Sequence, residues 1–333
     1  YPKTEMIVGD ITNKKIFNEI IKKAKEIGID FIIATPPCQG MSSAGKQDKD
    51  DIRNHLITYA IEIIKILKPK FVFLENVPQQ LKTSIRYNNK KVLIPDYLKE
   101  ELSSNYYFNK NQTIDSSDYG VPQSRIRSIF LLSNKEINFI WEHPEKEKKK
   151  KTLKEAIGDL PSLDPLIYDV TKKEQLELFP DYEKKKKEGL KVSKWHYPPK
   201  HVYRQVFAMI HTPTGKSAFE NEDKYKPLTK EGKIVKGFKN TYKRQNWDKP
   251  GYTITMYNRT IGSQENVHPG RLLDNNKYSD PRVLTILELL RITSLPDDWN
   301  IPDWASEHFI RQVIGEGIPP LLVKKIFEKI GNL

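Results

Sequence analysis

Between residues 5 and 133 short apolar runs alternate with stretches of helical periodicity, and this alternation limits the chain to few folds. "EMIV" at 5–8 reads as a strand, and Thr12–Gly28 as an amphipathic helix closed by glycine. "FIIA" at 31–34 reads as a buried strand. Asp51–Leu67 repeats apolar residues at helical spacing, and "FVFL" at 71–74 is another strand. Residues 96–103 read as helix and "IRSIFLL" at 126–132 as strand. The pattern predicts a doubly wound α/β sheet with helices on both faces. Such sheets bind ligands beyond the carboxyl ends of their strands. Three polar stretches fall there: Gly9-Asp10, Thr35–Gly45 and Glu75-Asn76.

From 134 to about 280 the alternation stops, and Lys, Tyr, Trp, Pro and Asn dominate. One helix is expected at 152–158, opened by a capping box of Thr152 and Glu155. The remainder reads as short strands and long loops. Regularity returns at 282. Thr285 and Glu288 form a second capping-box pattern that opens a helix through Arg291, and a last helix is expected from Pro320 to Ile330. These changes of texture divide the chain into 1–133, 134–280 and 281–333, the last a pair of C-terminal helices.

The chain has 333 residues and a formal charge of +13. That excess is the footprint expected of a protein that binds a polyanion. The lysine runs at 146–151 and 184–187 read as solvated loops. No apolar run approaches the roughly 20 residues of a membrane span. A single cysteine, Cys38, excludes an internal disulfide and a cysteine metal cluster, and fits a reducing cytoplasm. Cys38 lies just past a strand end, behind Pro36 and Pro37, which fix the backbone there. On those grounds alone, a nucleophile and a small buried residue are equally good readings.

The blocks "PPCQ", "FLENV" at 73–77, "QSRIR" at 123–127, "RVLTILELLRITSLPDDW" at 282–299 and "GEGIPP" at 315–320 resemble the cytosine-5 DNA methyltransferase family, and "GDIT" at 9–12 matches a further block. They stand in family order and cover nearly the whole chain. The resemblance implies a Rossmann-like S-adenosylmethionine-dependent methyltransferase sheet with a smaller α+β target-recognition domain, of the bacterial restriction-modification type. It implies transfer of a methyl group to C5 of a flipped-out cytosine in duplex DNA. Cys38 would add to C6. Glu75 would hydrogen-bond or protonate N3, Arg127 would contact O2, and Arg125 would sit near phosphates or Glu75. Pro36 would accept from the cytosine amine, and Ser42 would bind a phosphate beside the target. Gln39, Asn76 and Gln123 belong to the same substrate set. Asp10 would bind the adenine amine of the cofactor, with Ile11 and Leu56 flanking the ring.

Two departures stand out. The glycine-rich cofactor turn and the acidic residue for the ribose are absent, so the sheet is read as N-terminally incomplete, completed by a further segment or a second polypeptide. Glu316 replaces the usual Asn of the last block. An RNA cytosine-5 methyltransferase and a non-catalytic DNA-binding subunit are the alternative readings. The stretch 242–271 alternates side chains suited to base edges and phosphates, and Asn258, Arg259 and Gln264 are its candidate base readers.

Overall fold

The computed structural model describes residues 4–37 and 55–331. The chain divides into two compact units. The first comprises Tyr1–Asp115, Ile126–Pro144 and Ile326–Leu333. The second comprises Ser116–Arg125 and Glu145–Lys325.

The first unit is built on one mixed sheet. Helix α1 (Lys14–Ile27) starts where the Asn13 side chain accepts from the Lys15 amide, and stops at Gly28, whose φ of 71° is left-handed. Strand β1 (Phe31–Ala34) follows, then α2 (Leu56–Leu67) and β2 (Phe71–Asn76). A hairpin of β3 (Ser84–Tyr87) and β4 (Lys90–Leu93) leads into α3 (Ile94–Leu102). Strands β5 (Tyr106–Phe108), β6 (Thr113–Asp115) and β7 (Ile126–Asn134) complete the sheet. Its order is β1-β2-β7-β5, with β6 also on β7. Only β1 and β2 run parallel; β7 is antiparallel to its neighbours.

Side chains alternate across β2. Val72 and Leu74 pack with Ile57, Ile61 and Ile64 of α2 and with Leu98 of α3. Phe71 faces the other way onto Trp141, at 5.5 Å between ring centroids, and Phe73 onto Phe327, at 5.9 Å. The Trp141 indole donates to the Ile326 carbonyl at 3.1 Å. The sheet thus carries an apolar layer on each face.

Two expectations change here. Residues 5–8 form no strand, because no strand among the described residues offers them a ladder, and Met6 and Val8 are exposed. Strand β1 is not fully buried: Phe31 and Ile33 are exposed while Ile32 and Ala34 are partly covered. Its apolar run reflects a strand at the sheet edge, where Phe31 packs on Phe71 and Phe327 while staying partly open.

The second unit joins short helices through long irregular stretches. It holds α4 (Leu153–Ile157), the two-residue strand β8 (Leu166–Ile167), α5 (Lys172–Leu178), α6 (Tyr182–Val192), β9 (Lys200–His201), α7 (Tyr203–Ile210), α8 (Ile286–Ile292) and α9 (Glu307–Glu316). Helix α10 (Pro320–Glu328) runs from this unit into the first. The capping boxes at Thr152/Glu155 and Thr285/Glu288 are both formed, and a third, at Thr171/Glu174, opens α5. The stretch read as short strands and loops therefore contains three helices before residue 211. The 184–187 lysine run is not a loop but lies within α6, in keeping with the good helix propensity of lysine.

An ionic cluster is sealed inside this unit. Arg282 donates to Asp280 Oδ1 at 2.9 Å and to both carboxylate oxygens of Glu288 at 2.8 and 2.9 Å. Arg244 spends its guanidinium on the carbonyls of Met209, His268 and Asp280. All four charged side chains are buried. Glu288 does double duty, since it is also the capping-box acid of α8.

Candidate active site

The carboxyl ends of β1 and β2 carry the candidate catalytic groups of the first unit. Cys38, Gln39 and Ser42 lie outside the described residues. The chain leading to them is described: the Pro36 carbonyl accepts from Asn76 Nδ2 at 3.0 Å. The other side of that amide, Oδ1, accepts from the Val77 amide at 2.8 Å, so Asn76 is clamped between two backbone segments. It is almost fully buried. Sequence reasoning grouped Asn76 with substrate contacts; the structure makes it the strut that fixes the turn before Cys38.

Glu75 and Arg127 meet on adjacent strands. Glu75 stands opposite Ile129 in the β2–β7 register, and Arg127 is its diagonal neighbour on the same face. Arg127 Nε lies 3.0 Å from Glu75 Oε1, and the two side chains are only 13% and 12% exposed. Arg127 also donates through Nη1 to the Ile126 carbonyl at 2.7 Å. A carboxylate and a guanidinium are therefore held together at a strand end, largely shielded from water yet not sealed in.

Pro36, held by Asn76, also lines an open cavity of about 640 Å³. It is lined by Gly9, Asp10 and Ile11 before α1, by β1 through Pro37, and by Leu56, Ala60 and Ile63 of α2. All three predicted cofactor residues face one cavity. Most of its wall is aliphatic, with Asp10 the one carboxylate among the described lining residues. Asp10 Oδ1 accepts from both the amide and the hydroxyl of Thr12 at 2.9 Å. These bonds, the amide first and the hydroxyl second, hold its carboxyl below the usual carboxylate range. Thr12 was missed by sequence reasoning, although an Asp two residues before a Thr is the spacing of an Asx-turn.

In the second unit Arg125 departs from its expected place by phosphates or Glu75. It is buried, and its guanidinium donates to the carbonyls of Ile254 and Gly315 at 2.9 Å and Glu316 at 3.0 Å. Its partners lie about 130 and 190 residues away in sequence, so no local pattern could have revealed them. Gln123 is wholly buried as well, its backbone bridged to Gly251. The Glu316 carboxylate accepts from Gln312 one helical turn back, at 3.3 Å.

The three candidate base readers separate. Asn258 is buried: Nδ2 donates to the carbonyls of Thr255 and Arg311 at 2.7 and 3.0 Å, and Oδ1 accepts from Arg311 at 3.2 Å. It is scaffold, because reading a base would cost it three internal bonds. Arg259 and Gln264 are exposed. Arg259 lines a cavity of about 470 Å³ with Tyr168, Lys200, Gln205, Thr260 and Glu307. Gly315 explains why the Asn258 turn sits so close to α9. A Cβ there would lie 2.3 Å from the Thr255 carbonyl oxygen, so only glycine fits.

The C-5 cytosine-specific DNA methylase family matches residues 1–332 of the chain. The chain belongs to this family. The methyltransferase is 44% identical over 337 residues to the Type II methyltransferase M1.HgaI of Avibacterium volantium, covering 100% of this chain and 87% of that one. It is 26% identical to the Type II methyltransferase M1.HphI of Haemophilus parahaemolyticus, over 99% of this chain and 75% of the relative. Among solved structures it resembles a candidate DNA modification methyltransferase from an E. coli prophage, with a TM-score of 0.61 at 21% identity, covering 100% of this chain and 87% of the other. The fold is the α/β, Rossmann-like methyltransferase fold. The protein is thus a DNA (cytosine-5-)-methyltransferase of the Type II restriction-modification kind. Among the described residues no helix is long and apolar enough to cross a membrane.

Proposed function

We propose that the methyltransferase moves a methyl group from S-adenosylmethionine to C5 of a cytosine flipped out of duplex DNA, by way of a covalent adduct at Cys38. The observation that carries this reading is the Glu75–Arg127 pair at 3.0 Å, set on the same strand ends as the Pro36–Asn76 clamp.

Cytosine C5 is a poor nucleophile. A Cys38 thiolate adding to C6 would place the electron pair of the C5–C6 bond on C5 and spread negative charge into the ring. Glu75 would hydrogen-bond or protonate N3 as that charge develops, and Arg127 would orient Glu75 and contact O2. Once C5 carries the methyl group, loss of the C5 proton would return its electron pair to the ring and expel Cys38. A ring inside a stack cannot be attacked on its face, so the reaction requires base flipping.

The cavity of about 640 Å³ fits the adenosyl part of the cofactor. Its walls are apolar, and an ionised Asp10 is ready to accept from the adenine amine, with Ile11 and Leu56 against the ring. S-adenosylmethionine, when bound, supplies an electrophilic methyl group. Target choice rests with the 134–280 stretch, and within 190–275 on exposed side chains such as Arg259 and Gln264.

The test is transfer of tritiated methyl groups to duplex DNA, together with trapping on DNA carrying 5-fluorocytosine, from which fluorine cannot leave as a proton does. Wild type should label DNA and form the adduct, whereas Cys38→Ser should do neither and still bind DNA. An adduct formed by the Ser variant removes Cys38 as the nucleophile, and label on RNA alone overturns the DNA reading.

A further inference from the structure

The β3–β4 hairpin begins eight residues after Asn76 and contains no acid. Its loop is two residues long, Asn88 and Asn89, both at positive φ (48° and 60°), as a tight hairpin of matching twist requires. One face is pinned: Ile85 is buried, the Tyr87 ring packs on Tyr97 of α3 at 4.8 Å, and the Tyr87 hydroxyl donates to Glu101. The other face carries Arg86 and Lys91, which the register sets directly opposite each other. Like charges in that position repel and weaken a hairpin. Lys90 adds a third exposed cation at the tip.

Some lysines of this chain find acids. Lys146 and Lys150 pair with Asp118, Lys185 with Asp164, and Lys243 with Glu265. Arg86, Lys90 and Lys91 pair with no acid among the described residues. Glu101, the acid that reaches the hairpin, is taken up by Lys65 and Tyr87. Instead the three cations line a cavity of about 540 Å³ together with His55, Ser84 and Asn89. Every polar side chain among the described lining residues can donate a hydrogen bond, and none of them is a carboxylate.

We propose that this hairpin is a docking surface for the phosphate backbone of duplex DNA, on the catalytic unit and separate from the recognition stretch. The inference rests on the reading of duplex DNA as substrate. Phosphates entering the cavity would relieve the Arg86–Lys91 repulsion and supply the missing counter-charges. Such contacts position the duplex and carry no sequence information.

The experiment measures duplex binding against salt for wild type and for the triple variant Arg86→Gln, Lys90→Gln, Lys91→Gln. Each lost phosphate contact lowers the slope of log K on log salt by about 0.9. Three contacts make wild type lose roughly 40-fold more affinity than the variant between 50 and 200 mM salt. Site preference and turnover at saturating DNA should not change, and the thermal midpoint should hold or rise as the repulsion is removed. Arg86→Glu, which builds an opposite-charge pair with Lys91, should stabilise the hairpin and flatten the slope as well. A wild-type enzyme that methylates DNA beside a triple variant with an undiminished slope overturns the hairpin proposal alone. A slope that falls on single-stranded RNA but not on duplex does the same. Wild type that binds no duplex overturns the substrate reading and this proposal together.

Discussion

Glu75 and Arg127 stand at a strand end with about an eighth of each side chain open to solvent, whereas Asp280, Arg282 and Glu288 have at most 1%. The sealed cluster is richer in charge, and its groups titrate far from their ordinary values. Burial pushes the Glu288 carboxyl up, but Arg282 and His268 outweigh it and hold it at about 2. Burial drives His268 down to about 4. Perturbed titration is often a mark of chemistry, and here it marks a keystone. Access decides: a group that no substrate can reach serves the fold however unusual its acidity.

The sharpest break of this contrast is Glu75→Gln. Methylation should fall by about 10²- to 10⁴-fold, the usual reach of a positioned acid or base. The unfolding midpoint should stay close to wild type. A variant that unfolds early with normal specific activity in its folded fraction would make Glu75 a structural residue.

Arg282→Met should do the reverse. It leaves Asp280 and Glu288 buried without their cation, at a cost of about 3–5 kcal/mol. Urea denaturation reads the loss directly, and a stability equal to wild type would show that the cluster is not the keystone of its unit.

A smaller contrast lies within one turn. Asn258→Ala strips hydrogen bonds from buried Arg311 and should cost about 1–3 kcal/mol of stability. Arg259→Ala should leave stability alone and relax or weaken site preference by a comparable energy. Methylation of a randomised-site library by both variants separates the two, and a changed preference in Asn258→Ala alone would reverse their assignments.

The gentlest probe is pH. An unfolded histidine titrates near 6.5, while burial holds folded His268 at about 4 and His201 at about 3. Below 6.5 the unfolded chain takes up protons that the folded chain refuses, so acid favours unfolding. Stability should fall by about 1.4 kcal/mol per pH unit for each such histidine between pH 6 and 4.5. A urea midpoint unchanged between pH 7 and 5 would mean that these rings are not held neutral.

What could be read in the sequence follows the same divide. Glu75, Arg127 and Asp10 were legible through the family blocks that carry them, FLENV, QSRIR and GDIT, while the strand expected before Asp10 does not form. The capping boxes of α4 and α8 were legible because both partners sit within four residues. Arg125, Asn258 and Gln123 are buried among carbonyls and strands far away in sequence, which no local pattern reveals. Helix α6 was hidden by its charge, which resembles that of a loop. Strand β1 was judged buried because an apolar run does not reveal how many neighbours a strand has.

Gly315 has a consequence for protein engineering. Its missing Cβ lets the Thr255 carbonyl settle against α9, and Arg311 on that helix grips Asn258. Residues 255–258 are therefore fitted to their host and are not portable cargo. A chimera that imports a relative's specificity would be cut after Asn258, so that the seam runs through exposed chain, and a seam placed upstream would have to bring the matching α9 with it.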